Sequence, residues 1–219
     1  MRTVWLQQHR RPECIVFFTG WGMDPTPFQG LPALDHDLYM VMDYRTLETF
    51  DLDVFAGYQH LHLIAWSMGV RVAAHLLSGQ AHRFATATAI GGTLTPVDGQ
   101  RGIPPASYDA MLDQFSPEVL DTFYRDMFDD PGQLHRFLTH RPQRPLGELR
   151  EEMAAFRDAF VNAGPGQDIY TRKIITSRDR IFSGRNQMRA WGKGCGDVQN
   201  WPHFPFYLLA DWRELLASP

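Results

Sequence analysis

Short apolar runs recur along this chain, separated by stretches that are compatible with helices. Hydrophobicity within each run is continuous rather than alternating, which is typical of parallel strands buried on both faces of a sheet. The pattern predicts core strands at residues 14–18, 38–42, 61–66, 84–90 and 172–176. Residues 4–7 predict an antiparallel edge hairpin before the first of these strands. Strands that alternate with helices require right-handed crossovers, so the pattern predicts an α/β protein with a mostly parallel, doubly wound sheet.

The first helix is predicted directly after Ser67. Over residues 70–77 the apolar side chains recur at helical spacing and fall on one face. Gly79 is the predicted residue that ends this helix in a left-handed conformation.

The alternation of strands and helices stops after Gly91-Gly92-Thr93, and residues 94–165 are predicted to be mostly helical. Ser116 followed by Pro117 is a typical helix start, with serine as the N-cap and proline in the first turn. A further helix is predicted over residues 146–161, and Asp130-Pro131-Gly132 predicts a break in the chain. The sequence therefore predicts a helical insertion between two strands of the sheet.

Composition limits the class of protein. The 219 residues, 44% hydrophobic and 13% aromatic, are sufficient for one globular domain with a sizeable core. A net charge of -4 without any basic run gives no signal for nucleic-acid binding. No apolar stretch approaches the roughly 20 residues that cross a bilayer, and the N-terminal residues lack the layout of a signal peptide. Two cysteines are too few for a disulfide framework or for a zinc site built from cysteines. We therefore expect one domain over residues 1–219, in a cytoplasmic, monomeric protein that binds neither nucleic acid nor membrane.

The pentapeptide Ala65-Trp66-Ser67-Met68-Gly69 follows a predicted strand and precedes the first predicted helix. A strand that turns sharply at a serine into a helix is the nucleophile elbow of α/β-hydrolases. The turn holds Ser67 Oγ out of the sheet, and the helix N-terminus directs backbone N–H groups towards a developing oxyanion. Small residues are needed two positions before and after the serine, and Ala65 and Gly69 meet this need. The sequence therefore predicts an α/β-hydrolase with Ser67 as nucleophile and with the insertion at about 94–165 as a helical lid.

A nucleophilic serine needs a base, and the base needs an acid that orients it. In α/β-hydrolases the chain order is serine, acid, histidine. Asp179 is the predicted acid because it lies in a turn just after the strand at 172–176; the alternative interpretation is an ordinary aspartate in a turn. Asp168 and Asp197 remain alternative acids, although neither directly follows a strong strand. His203 is the predicted base, because it alone among the histidines follows Asp179, between a short predicted strand at 197–201 and a predicted terminal helix at 207–216.

Gly20-Trp21-Gly22 follows the strand at 14–18 and predicts the second half of an oxyanion hole. The Trp21 N–H would act together with the Met68 N–H on the substrate carbonyl oxygen. Further residues are predicted to form the walls of an apolar acyl site. They are Trp21, Trp66, Phe115, Phe123, Met127 and Phe128.

Basic residues are concentrated in one part of the predicted lid, although the chain as a whole is acidic. They are Arg136, Arg141, Arg144 and Arg150. Such a patch could dock an acidic partner and raise its association rate. The alternative interpretation, a solvated helix face balanced by Glu151 and Glu152, remains open.

Several of these segments together resemble the compact pimeloyl-[acyl-carrier protein] methyl ester esterases of biotin synthesis, over nearly the whole chain. The similar segments are Phe17-Phe18-Thr19-Gly20-Trp21-Gly22-Met23-Asp24, Asp43-Tyr44-Arg45, Ala65-Trp66-Ser67-Met68-Gly69-Val70, Gly91-Gly92-Thr93, Gly102-Ile103-Pro104 and Pro202-His203. The resemblance implies hydrolysis of the methyl ester that caps the pimeloyl chain, on an acidic acyl carrier protein that holds the chain as a thioester. It implies Ser67 as nucleophile, His203 as base, Asp179 as acid, and Trp21 with Met68 as oxyanion donors.

The reaction that this resemblance implies needs no metal and no organic cofactor. Two other functions remain open at this point. One is a general carboxylesterase or acyl thioesterase that acts on small substrates, and the other is a non-catalytic binding module with a hydrolase fold.

Overall fold

The structure, a computed structural model, describes residues 1–33 and 35–216, within which one seven-stranded sheet is formed. In chain order the strands are β1 (Arg2–Gln7), β2 (Glu13–Phe18), β3 (His36–Met42), β4 (His60–Trp66), β5 (Thr86–Ile90), β6 (Arg172–Thr176) and β7 (Asp197–Gln199). Across the sheet they follow the order β1-β3-β2-β4-β5-β6-β7. The domain predicted over 1–219 includes Leu34 and residues 217–219, which lie outside the described residues.

Every neighbouring pair of strands from β3 across to β7 is parallel. The α/β prediction is therefore confirmed, and each predicted core strand is present. Residues 14–18 of β2 are buried, which agrees with their continuous apolar sequence, and β5 is buried along its whole length although two of its residues are threonines. Because parallel strands end at the same edge of a sheet, the turns that follow β2, β4, β5, β6 and β7 lie side by side. The predicted catalytic segments all lie in these turns.

The predicted hairpin between β1 and β2 is wrong, because β1 pairs antiparallel with β3 instead. Both edges of β2 are already occupied by parallel partners, β3 on one side and β4 on the other. The partly exposed residues of β1 suit the outer edge of the sheet, whereas the buried centre belongs to β2.

The helices within the described residues are α1 (Gly69–Leu77), α2 (Pro105–Asp113), α3 (Pro117–Asp126), α4 (Pro131–Thr139), α5 (Leu146–Phe160) and α6 (Gly184–Trp191). The helices α2 to α5 form the predicted insertion between β5 and β6. Ser116 caps α3 as expected, by accepting a hydrogen bond from the Val119 N–H at 3.3 Å. The predicted break at Asp130 is the start of α4, where the Asp130 carboxylate caps the Gln133 N–H at 2.8 Å.

Two predicted helix ends differ in the structure. Gly79 does not end α1 in a left-handed conformation, because the chain continues directly into a 3₁₀ turn over Ser78–Arg83. The predicted terminal helix is replaced by two short 3₁₀ turns, Phe206–Leu208 and Trp212–Leu215. The backbone is extended at Asp211, whose side chain caps the second turn and so starts a new element there.

Among the helices of the described residues, none combines the length and the apolar character that a bilayer crossing would require.

Candidate active site

Ser67 lies in a strained turn between β4 and α1. Its φ of 59° is in the left-handed region, which costs a serine on the order of 1–3 kcal/mol unless the surroundings hold it there. The Ser67 N–H donates to the Ile90 carbonyl at 2.9 Å, which ties the turn to the end of β5. A Cβ atom at Gly69 would clash with the backbone of Phe18, and one at Gly92 would clash with the Ser67 carbonyl. The backbone packs too closely here for larger residues, as a nucleophile elbow requires.

Asp179 and His203 are hydrogen-bonded, with His203 Nδ1 2.8 Å from Asp179 Oδ2. The Ile181 and Phe182 N–H groups both donate to Asp179 Oδ1 at 2.8 Å. The Thr176 hydroxyl donates to Oδ2, also at 2.8 Å. A carboxylate with these donors is fixed in orientation and accepts a hydrogen bond from the Nδ1–H of the imidazole, so Nε2 is left as the basic nitrogen.

His203 is 1% exposed and is held between aromatic rings. The Phe182 ring stacks parallel to it at 6.1 Å, and the Trp66 ring centroid lies 5.1 Å away. The Trp66 indole also donates to the His203 carbonyl at 2.7 Å, which couples the histidine loop to the residue before Ser67. Within the described part of the chain, His203 Nε2 has no hydrogen-bond partner, Ser67 Oγ included. Catalytic hydrogen bonds of this kind commonly tighten only when substrate binds.

The alternative acids lie in other interactions. Asp168 pairs with Lys173 at 2.9 Å, and Asp197 pairs with Arg172 at 2.7 Å. Of the three candidate aspartates, the structure brings Asp179 to His203.

The loop that carries Trp21 is held against the insertion. The Trp21 indole donates to the Leu149 carbonyl of α5 at 2.9 Å, and the Tyr44 hydroxyl donates to the Thr19 carbonyl at 2.8 Å. Among the described residues, neither the Trp21 N–H nor the Met68 N–H donates to a protein acceptor. Both amides are therefore available for a substrate oxygen.

A cavity of about 450 Å³ adjoins these two residues, between the turns of the sheet and the helical insertion. Trp21 and Met68 form one side, and apolar side chains of the insertion form much of the rest. They include Ile103, Tyr108, Met111, Phe123 and Met153. A cavity of this size and polarity suits a small apolar substrate group.

Only part of the predicted acyl wall lies on this cavity, namely Trp21 and Phe123. Trp66 is buried, and its indole is committed to the His203 carbonyl. Met127 and Phe128 are buried in the packed interior, where Phe128 contacts Phe204 at 5.3 Å.

Phe115 also does not line the cavity. Its ring packs edge-on against the Trp21 ring, with 5.7 Å between the ring centroids. Helical spacing predicted which side chains turn inwards, but not which of them face the cavity and which face the core.

Only some residues of the predicted basic patch are exposed at the surface. The Arg144 side chain is 4% exposed and forms a buried ion pair with Glu152 at 2.5 Å. The other three arginines are exposed: Arg136 lies over the Tyr207 ring, Arg141 pairs with Asp121, and Arg150 lies on α5. Arg144 is therefore unavailable for docking a partner.

Glu152 is buried beside the site, whereas the sequence indicated only a charge on a solvated helix face. It is 1% exposed and accepts hydrogen bonds from the N–H groups of Tyr44 at 2.9 Å and Gly22 at 3.4 Å. Burial raises the pKa of Glu152, and the Arg144 guanidinium opposes that shift. The signal in the sequence is a glutamate on the apolar face of α5, between Leu149 and Met153.

Comparisons with known proteins identify the family. A family model described as "Pimeloyl-ACP methyl esterase BioG" matches residues 1–215. A malonyl-[acyl-carrier protein] O-methyltransferase of Bacteroides fragilis is 37% identical over 191 residues, which make up 87% of this chain but 39% of that protein. An uncharacterized protein of Haemophilus influenzae is 33% identical over 206 residues, or 92% of this chain and 93% of that one.

Solved structures agree with these matches. The crystal structure of BioG from Haemophilus influenzae superimposes with a TM-score of 0.88 and 30% identity, over 99% of this chain and 100% of that one. A lipase-esterase related protein of Clostridium acetobutylicum has a TM-score of 0.62 at 12% identity, over 94% of this chain and 93% of that one, and so shares the fold. The chain has the α/β-hydrolase fold and belongs to the pimeloyl-ACP methyl esterase BioG family.

Proposed function

We propose that this protein is a serine carboxylesterase that hydrolyses pimeloyl-[acyl-carrier protein] methyl ester to pimeloyl-[acyl-carrier protein] and methanol in biotin synthesis. The observation that carries the proposal is the 2.8 Å hydrogen bond between Asp179 and His203, in a chain of this family whose Ser67 occupies a strained elbow. We expect the protein to act as a cytoplasmic monomer and to need no metal or organic cofactor for this reaction.

In the first half of the reaction, Ser67 Oγ attacks the terminal ester carbonyl while His203 Nε2 accepts the hydroxyl proton. The carbonyl oxygen becomes an oxyanion, which the Trp21 and Met68 N–H groups stabilise. The bond between the carbonyl carbon and the methoxy oxygen then breaks, and the imidazolium gives its proton to the departing methanol. Asp179 keeps Nδ1 protonated and stabilises the imidazolium.

In the second half, a water molecule attacks the acyl-serine while its proton passes to His203 Nε2. Collapse of this intermediate returns the proton to Ser67 Oγ and releases the free carboxyl group of the pimeloyl chain. One water is consumed and one methanol is formed in each cycle.

The polymethylene chain of the substrate fits the apolar walls of the cavity. Burial of each CH₂ group contributes about 0.8 kcal/mol, so Met111, Phe123 and Met153 favour an extended acyl chain. A hydrophobic pocket discriminates between chains that differ by one CH₂ only modestly. We therefore propose that docking of the carrier protein contributes to the choice of substrate.

The helical insertion acts in this proposal as a lid, over about residues 94–165, that bears the docking surface. Arg136, Arg141 and Arg150 are the exposed cations of the predicted patch that remain candidates for contact with an acidic carrier. Arg180 joins them, because it lies on the cavity wall with 57% of its side chain exposed. Attraction between opposite charges should raise the association rate, and salt should weaken it.

The test is a comparison of methyl pimeloyl-carrier with dimethyl pimelate, with methanol and free carrier thiol measured in the same reaction. We expect methanol without thiol, and a kcat/KM for the carrier substrate that is at least about 10-fold higher at low salt. Release of thiol would identify an acyl thioesterase instead. Equal kcat/KM for both substrates would remove the docking proposal, and turnover equal to that of a Ser67→Ala variant would remove the enzymatic one.

Charge reversal distinguishes docking from chemistry. Arg136→Glu and Arg150→Glu should lower kcat/KM for the carrier substrate and leave dimethyl pimelate hydrolysis unchanged, because neither residue lines the cavity. Arg83→Glu is the matched control, because Arg83 lies in the turn before β5, at the edge of the sheet opposite Ser67. There it pairs with Asp53, which lies in the turn before β4.

A further inference from the structure

Three metal-binding side chains meet at the edge of the sheet opposite Ser67. Glu13 is the first residue of β2, His36 the first residue of β3, and His62 the third residue of β4. Glu13 Oε2 lies 3.0 Å from His62 Nε2 and 3.2 Å from His36 Nε2. One ligand atom from each residue lies within 4.8 Å of the other two. His62 and Ser67 are five positions apart along the chain, which corresponds to roughly 16 Å in a strand.

His36 has unused hydrogen-bonding capacity. It is 5% exposed, and in residues 1–33 and 35–216 neither of its ring nitrogens has a hydrogen-bond partner, although Nε2 approaches the Glu13 carboxylate. Buried polar groups are nearly always hydrogen-bonded, so a buried imidazole with both nitrogens unsatisfied needs an explanation. Coordination of an ion would use one of these nitrogens.

His62 is already oriented as a metal ligand would be. Its Nδ1 lies 2.9 Å from the Thr86 hydroxyl, and its Nε2 faces Glu13. In metal sites the second ring nitrogen of a ligating histidine is usually held by a hydrogen bond, which fixes the ring. Thr86 supplies that support from the neighbouring strand β5.

We propose that Glu13, His36 and His62 form a binding site for a divalent transition-metal ion, with Zn²⁺ as its occupant. Zn²⁺ binds imidazole nitrogen at about 2.0–2.1 Å and carboxylate oxygen at about 2.0–2.2 Å, so tetrahedral ligand atoms are about 3.3 Å apart. The two distances from Glu13 Oε2 are close to this value. Two imidazoles and a carboxylate form a ligand set that zinc accepts, with one position left for water.

An ion here would stabilise the fold and take no part in ester hydrolysis. It would join β2, β3 and β4, whose ligands lie far apart in sequence, and it would bind the folded state in preference to the unfolded chain. Glu13, with 35% of its side chain exposed, gives the ion a route from solvent. The site is independent of the proposed esterase function.

The experiment uses the full-length protein, stripped with a chelator and exchanged into metal-free buffer. Calorimetric titration with ZnCl₂ should give about one ion per chain, and Zn²⁺ should raise the thermal midpoint by about 5 °C. Glu13→Gln and His36→Gln should each weaken the affinity by at least about 10-fold and abolish that rise. His82→Gln is the matched control, since His82 is exposed and lies outside the cluster, and it should behave like the wild type.

Circular dichroism of the metal-free variants checks that each is folded. Glu13→Gln keeps its shape at a partly exposed position, so it remains informative even if the His36 variant unfolds. Failure of the wild type to bind Zn²⁺ would overturn the proposal. Binding that the folded Glu13→Gln variant retains at full affinity would overturn it as well, because the ion would then be held by other side chains.

Discussion

His203 Nδ1 lies 2.8 Å from the carboxylate of Asp179, and the second oxygen of that carboxylate accepts two backbone N–H groups at the same distance. The acid is therefore held by its own loop, independently of the histidine. The loss of activity that we expect from changes at Asp179 therefore follows from the orientation of His203 rather than from the stability of the loop.

Replacement of Asp179 by asparagine should lower kcat by about 10³–10⁴-fold with little change in KM. Asparagine can still accept the Ile181 and Phe182 N–H groups through its carbonyl oxygen. Its amide would then donate to His203 Nδ1, which places the imidazole proton on Nε2, where it prevents base catalysis. Steady-state kinetics on dimethyl pimelate measures the effect.

Asp197→Asn is the control for this change, because Asp197 pairs with Arg172 and not with His203. Near-normal turnover in the Asp179 variant, with a large loss in the Asp197 variant, would reassign the acid.

Glu152→Gln should destabilise the protein by about 2 kcal/mol and lower kcat/KM together. The variant can still accept the Tyr44 N–H, but it leaves the buried Arg144 charge with fewer partners. The Gly22 N–H donates to Glu152, so the change should loosen the loop that carries Trp21. The position of the Trp21 N–H, a proposed oxyanion donor, should then become less defined. Urea unfolding and ester kinetics measure the two effects.

The double variant Glu152→Gln/Arg144→Met should cost less stability than the sum of the two single changes, because each single change already breaks the Arg144–Glu152 pair. Strictly additive losses in this cycle would show that the two residues do not act as a pair.

Gly92→Ala should abolish most of the activity. The added methyl group would clash with the Ser67 carbonyl, so the elbow that carries Ser67 would have to shift. Displacements of about 1 Å in a catalytic group can lower rates by roughly 100-fold. Gly99→Ala is the control, since a Cβ there meets no atom within 4 Å, and it should leave turnover unchanged. Full activity in the Gly92 variant would contradict the close packing of this turn.

Protonation of the Asp37 carboxylate at acidic pH should lower the free energy of unfolding. Burial alone would raise its pKa, but donors that include the Tyr58 hydroxyl hold the pKa of Asp37 below its usual value. Its stabilising effect is therefore present above the unfolded pKa, about 3.9, and is lost as the pH falls through the folded pKa. Asp37→Asn should cost about 2 kcal/mol at pH 7, and less as the pH falls below about 4.

Urea unfolding at several pH values tests this prediction. The exposed Asp113→Asn variant should follow the wild type throughout. A deficit in the Asp37 variant that is equally large at pH 3 and pH 7 would disprove the linkage.

The core of the fold could be predicted from the sequence because the central strands, buried on both faces, are largely apolar. Elements whose form depends on distant contacts could not. The buried face of helix α6 carries polar residues in place of apolar ones, and its Gln187 packs through hydrogen bonds to Thr176 and the Asp179 loop. The edge position of β1 likewise depends on which edges of β2 are already paired.

The candidate catalytic residues could be proposed from chain order, since a hydrolase elbow restricts where an acid and a histidine can follow. The walls of the cavity could not be predicted in the same way. Helical spacing shows that Phe123 and Met127 both turn inwards, but only the packing of α3 puts Phe123 on the cavity and Met127 in the core. Arg144 was misassigned for a related reason, because its buried partner Glu152 lies two turns further along.

The central claim, that Ser67 is a nucleophile activated by His203, is tested most directly by labelling with a fluorophosphonate and mapping the adduct by mass spectrometry. We predict one adduct, on the peptide that contains Ser67, with labelling absent in Ser67→Ala and strongly slowed in His203→Gln. An unlabelled Ser67 in protein that still hydrolyses the ester, or equal labelling rates in the wild type and His203→Gln, would contradict the claim.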